Sequence, residues 1–164
     1  KTPDPIKGKF APTKKQKRAG AEDIYKLYFH GPAYQVIEQS WKKGDDVVGL
    51  FAKELPDNHN PNERTTLALP RLVELCFQTA GIWEMGAKNR MGLPQHIDKL
   101  KVYKQPSNSR TRLYAVVNYD DGAYEAAIVD NKGEIYLKLK GYTTAEFISA
   151  FDEKLLEPLK AIVG

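Results

Sequence analysis

The chain has 164 residues, 41% of them hydrophobic and 28% charged, with a formal net charge of +4. That length and balance suit one globular domain with a sizeable core, and no apolar run is long enough to cross a membrane as a helix. The single cysteine, Cys76, excludes an internal disulfide, and three scattered histidines offer no metal-ligand spacing, so a reducing, cytoplasmic compartment and no bound metal are expected.

Residues 1–20 hold seven basic side chains and one acid, Asp4. The basic excess therefore sits in a leader that is rich in Pro and Gly, and the remainder is mildly acidic. A segment so poor in apolar residues cannot offset its own ordering entropy. It reads as a linker, with residues 21–164 as the domain, and neither nucleic acid nor a membrane is an expected partner.

Asp23 to Phe29 is short and aromatic and fits helix or strand alike. His30-Gly31-Pro32 then breaks the chain. Val36–Trp41 and Val47–Ala52 flank a polar turn containing Gly44, which is a hairpin signal. Pro56–Thr66 reads as a surface loop. From Pro70 towards Gly86 the spacing predicts one helix that is apolar almost all round, with Leu72, Leu75, Cys76, Thr79, Ala80 and Trp83 at helical intervals. Such a helix belongs inside a fold, and Pro70 suits its first turn.

Lys88–Pro94 reads as a connection. Strands are expected over roughly Ile97–Tyr103, Leu113–Tyr119, Ala123–Val129 and Glu134–Lys140. Tight turns at Asp120-Asp121-Gly122 and Asp130–Gly133 make the last three an antiparallel meander. Thr143 to Val163 reads as a helix, capped by Thr143 or Thr144, with an apolar stripe through Phe147, Ile148, Phe151, Leu155, Leu156, Leu159 and Ile162. Hairpin, apolar helix and meander together predict an α+β fold in which one antiparallel sheet wraps a central helix, a hot dog, with an added C-terminal helix.

Within the apolar helix sit one acid, Glu74, and one amide, Gln78. At i and i+4 they share a face. A carboxyl group among apolar neighbours is held towards its neutral form, which suits a general acid. The structural alternative leaves Glu74 at the solvent edge and Gln78 bonded to backbone. Cys76 points away from that face and reads as a small buried hydrophobe; Trp41 and Trp83 read as packing, and Arg90 as a solvated loop residue.

Several short motifs resemble, in order, the C-terminal hot-dog half of the dehydratase domain of polyketide synthases and polyunsaturated-fatty-acid-type synthases. They are Leu27–Gln35 (Leu-Tyr-Phe-His-Gly-Pro-Ala-Tyr-Gln), Val73–Gln78 on the helix, Leu93–Ile97, and the turn Val129–Gly133 with its strand. The resemblance covers about Tyr25 to Tyr142. It implies dehydration of a β-hydroxyacyl group carried on the phosphopantetheine arm of an acyl carrier protein, with no cofactor bound by the domain itself. Carried over, Glu74 is the acid and Gln78 its orienting or substrate-bonding partner. Tyr28, His30, Gly31 and Pro32 then lie along the substrate channel.

The chain departs from the family in Glu for the helix Asp and His30 for the Tyr before Gly-Pro; for His30 a turn histidine bonded to backbone is the expectation. The His-x-x-x-Gly-x-x-x-x-Pro loop that supplies the family base is missing, since neither His59 nor His96 fits it. The chain therefore reads as an acid half that needs a separate N-terminal half, or a second copy as a dimer, unless its own C-terminal helix covers the free face. The alternatives are a catalytically inactive hot-dog scaffold and a homodimeric hot-dog acyl thioesterase.

Overall fold

The computed structural model describes residues 2–62, 64 and 66–164. In chain order its elements are β1 (Arg18–Gly20), α1 (Ala21–Ile24), a 3-10 turn (Pro32–Tyr34), β2 (Ile37–Lys43), β3 (Asp46–Phe51), α2 (Pro70–Lys88), β4 (Arg90–His96), β5 (Lys99–Val102), β6 (Leu113–Asp120), β7 (Ala123–Asp130), β8 (Ile135–Ser149) and α3 (Glu153–Val163). The strands form one curled sheet in the order β1-β2-β3-β6-β7-β8-β4, and β5 adds to β8. Every pairing is antiparallel. No helix among the described residues is long and apolar enough to cross a membrane.

The apolar helix is where the sequence places it, at the centre of the sheet. Leu72, Leu75, Cys76, Ala80, Ile82 and Met85 of α2 pack with Val47, Ala115, Val117, Ile128, Leu137 and Leu139 in one core. The helix begins with Pro70 at its first position and ends at Asn89, whose left-handed backbone lets its N–H close onto Met85 O. Gly49 of β3 makes the close approach possible, since a Cβ there would collide with the Thr79 side chain. α3 then packs on the side of α2 that the sheet leaves open, burying Leu156, Leu159, Ile162 and Val163. This is the expected hot dog with a docked C-terminal helix.

Two segments differ from expectation. Thr143–Ser149 continues β8 instead of opening the last helix, and Arg90–His96, which takes in most of the expected Lys88–Pro94 connection, is the strand that pairs with it. Thr143, Thr144 and Ile148 are β-branched and favour the extended backbone once a partner strand is present. Pro94 is tolerated because β4 is an edge strand. The cap of α3 is Asp152, whose carboxylate accepts the Lys154 N–H, and not Thr143 or Thr144.

The basic leader also differs from a free linker. Residues 18–20 form β1, the Ile6 N–H donates to Gly133 O at 2.9 Å, and Gln16 Nε2 donates to Lys42 O at 2.8 Å. Phe10 is only 2% exposed, packed with Trp41, Val48, Leu50 and Tyr114 on the outer face of the sheet. One aromatic side chain landing on a preformed apolar face offsets an ordering cost that the composition of the leader alone would not.

Candidate active site

A narrow slot opens between α2, the segment before the 3-10 turn, and β4. Its walls include Tyr28, His30, Glu74, Gln78, Gly92 and Tyr142, and its cavity volume is about 40 Å³. Glu74 and Gln78 share a helix face as their spacing requires, and Gln78 Nε2 donates to Glu74 Oε1 at 3.0 Å. The Glu74 side chain keeps 23% of its surface exposed, so it looks into the slot and is neither sealed in the core nor out in bulk solvent. Gln78 is 1% exposed.

The amide of Gln78 is fully occupied. Its second N–H donates to Tyr34 O at 2.8 Å, and its carbonyl oxygen accepts from the Tyr25 hydroxyl at 2.7 Å. No amide hydrogen is left for a substrate, so of the two roles open to Gln78 the geometry favours orientation of Glu74. Tyr28 lies alongside, and its hydroxyl donates to the Gln78 backbone carbonyl at 2.7 Å. Gly81, one turn further along the helix, leaves the space that the Tyr28 hydroxyl fills. Burial pushes the phenols of Tyr25, Tyr28 and Tyr142 above the ordinary tyrosine range, with the Glu74 charge adding to each.

His30 is not a turn histidine bonded to backbone. Its Nε2 lies 3.0 Å from Glu74 Oε1, its ring stacks on Phe29, and its Nδ1 is buried without a hydrogen-bond partner among the described residues. His59 and His96 are elsewhere, bonded to Asn58 and to Asp98.

Gly31 and Pro32 do not line the slot. Gly31 has ordinary extended backbone, and the two residues instead turn the chain so that Tyr34 O meets Gln78. Tyr25 and the β4 wall of Met91, Gly92, Leu93 and Pro94 were not foreseen. The wall follows from β4 having been read as a connection. Tyr25 had a usable signal, an aromatic hydroxyl in the motif-bearing segment.

Beyond the slot, Glu84 of α2 is fully buried. Arg90 Nε lies 2.7 Å from its Oε1, in a contact that is ionic and not aligned as a hydrogen bond. Thr144 Oγ1 is 3.0 Å from both carboxylate oxygens. Arg90 is thus an internal counter-ion and not a solvated loop residue.

A family model described as the polyketide synthase dehydratase N-terminal domain matches residues 16–150. No curated protein matches the chain. Among solved structures, an inactive mutant of the CurK dehydratase is 22% identical with a TM-score of 0.65, over 81% of this chain and 50% of that one. A trans-AT polyketide synthase dehydratase domain from Brevibacillus brevis is 21% identical with a TM-score of 0.65, over 80% and 49%. The erythromycin dehydratase is 14% identical with a TM-score of 0.63, over 88% and 51%. The chain spans about half the length of these structures, and at such identities the likeness is one of fold. The extent of the family match is decisive: the chain belongs to the family described as the polyketide synthase dehydratase N-terminal domain.

Proposed function

We propose that the chain is the acid-bearing half of a β-hydroxyacyl-[acyl carrier protein] dehydratase, and that this half is the second, C-terminal hot dog of a double hot dog in a multifunctional synthase. The family model carries the words "N-terminal domain". The assignment to the second half rests instead on Glu74 and Gln78 at i and i+4 of the central helix, and on the missing His-x-x-x-Gly-x-x-x-x-Pro loop.

The observation that carries the function is the Glu74 carboxyl, anchored by Gln78 and facing a slot in a chain of this family. In the reaction a base from the partner half removes the α-proton while Glu74 protonates the β-hydroxyl. The C–O bond breaks, water leaves, and an enoyl thioester remains. The substrate arrives on the phosphopantetheine of an acyl carrier protein, the domain holds no cofactor of its own, and the reaction is cytoplasmic. Tyr28 and His30 flank the substrate tip, while Gly31 and Pro32 act at one remove by shaping the turn. Phe29 and Phe147, both more than half exposed with ring centroids 6.0 Å apart, stand beside the slot. They give a partner half, or a second copy, an apolar surface to cover.

The test joins the chain to a His-loop first half and follows conversion of a 3-hydroxyacyl-carrier thioester to the enoyl product. Glu74→Gln is expected to lower turnover by about 10²- to 10⁴-fold with substrate binding retained. Turnover equal to wild type would remove Glu74 from the mechanism, and hydrolysis of the thioester by the isolated chain would favour a thioesterase instead.

A further inference from the structure

Acid catalysis by Glu74 leaves open which of its two oxygens delivers the proton. We infer that Tyr25 is a positioning residue that, through the Gln78 amide, commits Glu74 Oε1 to accepting a hydrogen bond and so leaves Oε2 as the proton-delivering oxygen. The inference rests on the dehydratase reading and adds one residue and a direction to it.

The polarity of the network follows from its ends. The backbone N–H of Ile37 can only donate, and it donates to the Tyr25 hydroxyl at 2.8 Å. The single hydroxyl hydrogen of Tyr25 is then free to point at Gln78 Oε1, 2.7 Å away. That fixes the orientation of the amide. The Gln78 oxygen faces Tyr25, and its two hydrogens face Tyr34 O and Glu74 Oε1. The opposite orientation would set the amide oxygen against two acceptors and leave the Tyr25 hydrogen without one.

Glu74 Oε1 therefore takes the Gln78 donor, while Oε2 accepts no hydrogen bond among the described residues. His30 Nε2 lies 3.0 Å from the same Oε1 in a contact not aligned as a hydrogen bond. When the proton passes from Oε2 to the departing hydroxyl, the new carboxylate is already held by the Gln78 donor, which does not have to reorient.

The test uses the unmodified full chain and two variants, read by proton–nitrogen NMR of side chains, with no turnover required. In wild type, the Gln78 amide hydrogens are expected to exchange slowly. Tyr25→Phe is expected to speed that exchange about tenfold, the loss of one anchoring hydrogen bond. Tyr28→Phe, which removes only the bond to the Gln78 backbone carbonyl, is expected to leave it within about twofold of wild type. Fast exchange of the Gln78 amide hydrogens in the wild-type chain would overturn the proposal without recourse to any variant. Equal exchange in Tyr25→Phe and wild type would overturn it as well. The dehydratase reading stands or falls separately, on the turnover of Glu74→Gln.

Discussion

Cys76 sits two positions beyond Glu74 and is fully buried. Burial, with the Glu74 charge added, pushes its thiol well above the ordinary cysteine range. At about pH 8.5, where a free cysteine is half ionised, native protein should resist thiol-modifying reagents, and unfolded protein should be labelled fully; fast labelling of the native chain would contradict this. The position of Cys76 was legible from helical spacing alone, as was the shared face of Glu74 and Gln78. The contact between His30 and Glu74 was not legible, because it joins residues 44 positions apart through a turn whose direction no local pattern specifies. The Tyr25 hydroxyl reaches Gln78 across an even longer separation, and a tyrosine in a short aromatic stretch carries no mark of what its oxygen will meet.

At the scale of elements, α2, β4 and β8 are pinned together by Glu84, Arg90 and Thr144. Removing Arg90 leaves a buried carboxylate without its cation. Arg90→Ala is therefore expected to destabilise the chain by about 3–5 kcal/mol in denaturant unfolding. The double variant Glu84→Met with Arg90→Met should lie much closer to wild type, because both desolvated charges are gone. A loss in the double variant as large as in the single one would show that packing, not charge, is what Arg90 supplies. The misread end of β8 belongs to the same scale. Phe147, Ile148, Phe151 and Leu155 fall at helical spacing, and only β4, some fifty residues upstream, provides the ladder that makes the first two extended.

Across the molecule, Tyr25, Tyr28, Tyr124, Tyr142 and Cys76 are all held in their protonated forms by burial. Unfolding returns them to ordinary values, about 8.5 for cysteine and 10 for tyrosine. Above those values the unfolded chain binds fewer protons than the folded one, so stability falls as pH rises, by about 1.4 kcal/mol per pH unit for each such group; below them these groups contribute no slope. Melting temperatures taken from about pH 8 to pH 11 should decline ever more steeply, and a flat profile would show that the phenols ionise as readily folded as unfolded.

The hollow beside Glu74 measures only about 40 Å³, room for a few water-sized groups. Whatever approaches the carboxyl has to be slender at its tip, and a ring or a branched carbon there would jam against Tyr142 and the β4 backbone. The girth of a tip, and not the length of a tail outside the hollow, is what these walls can gauge.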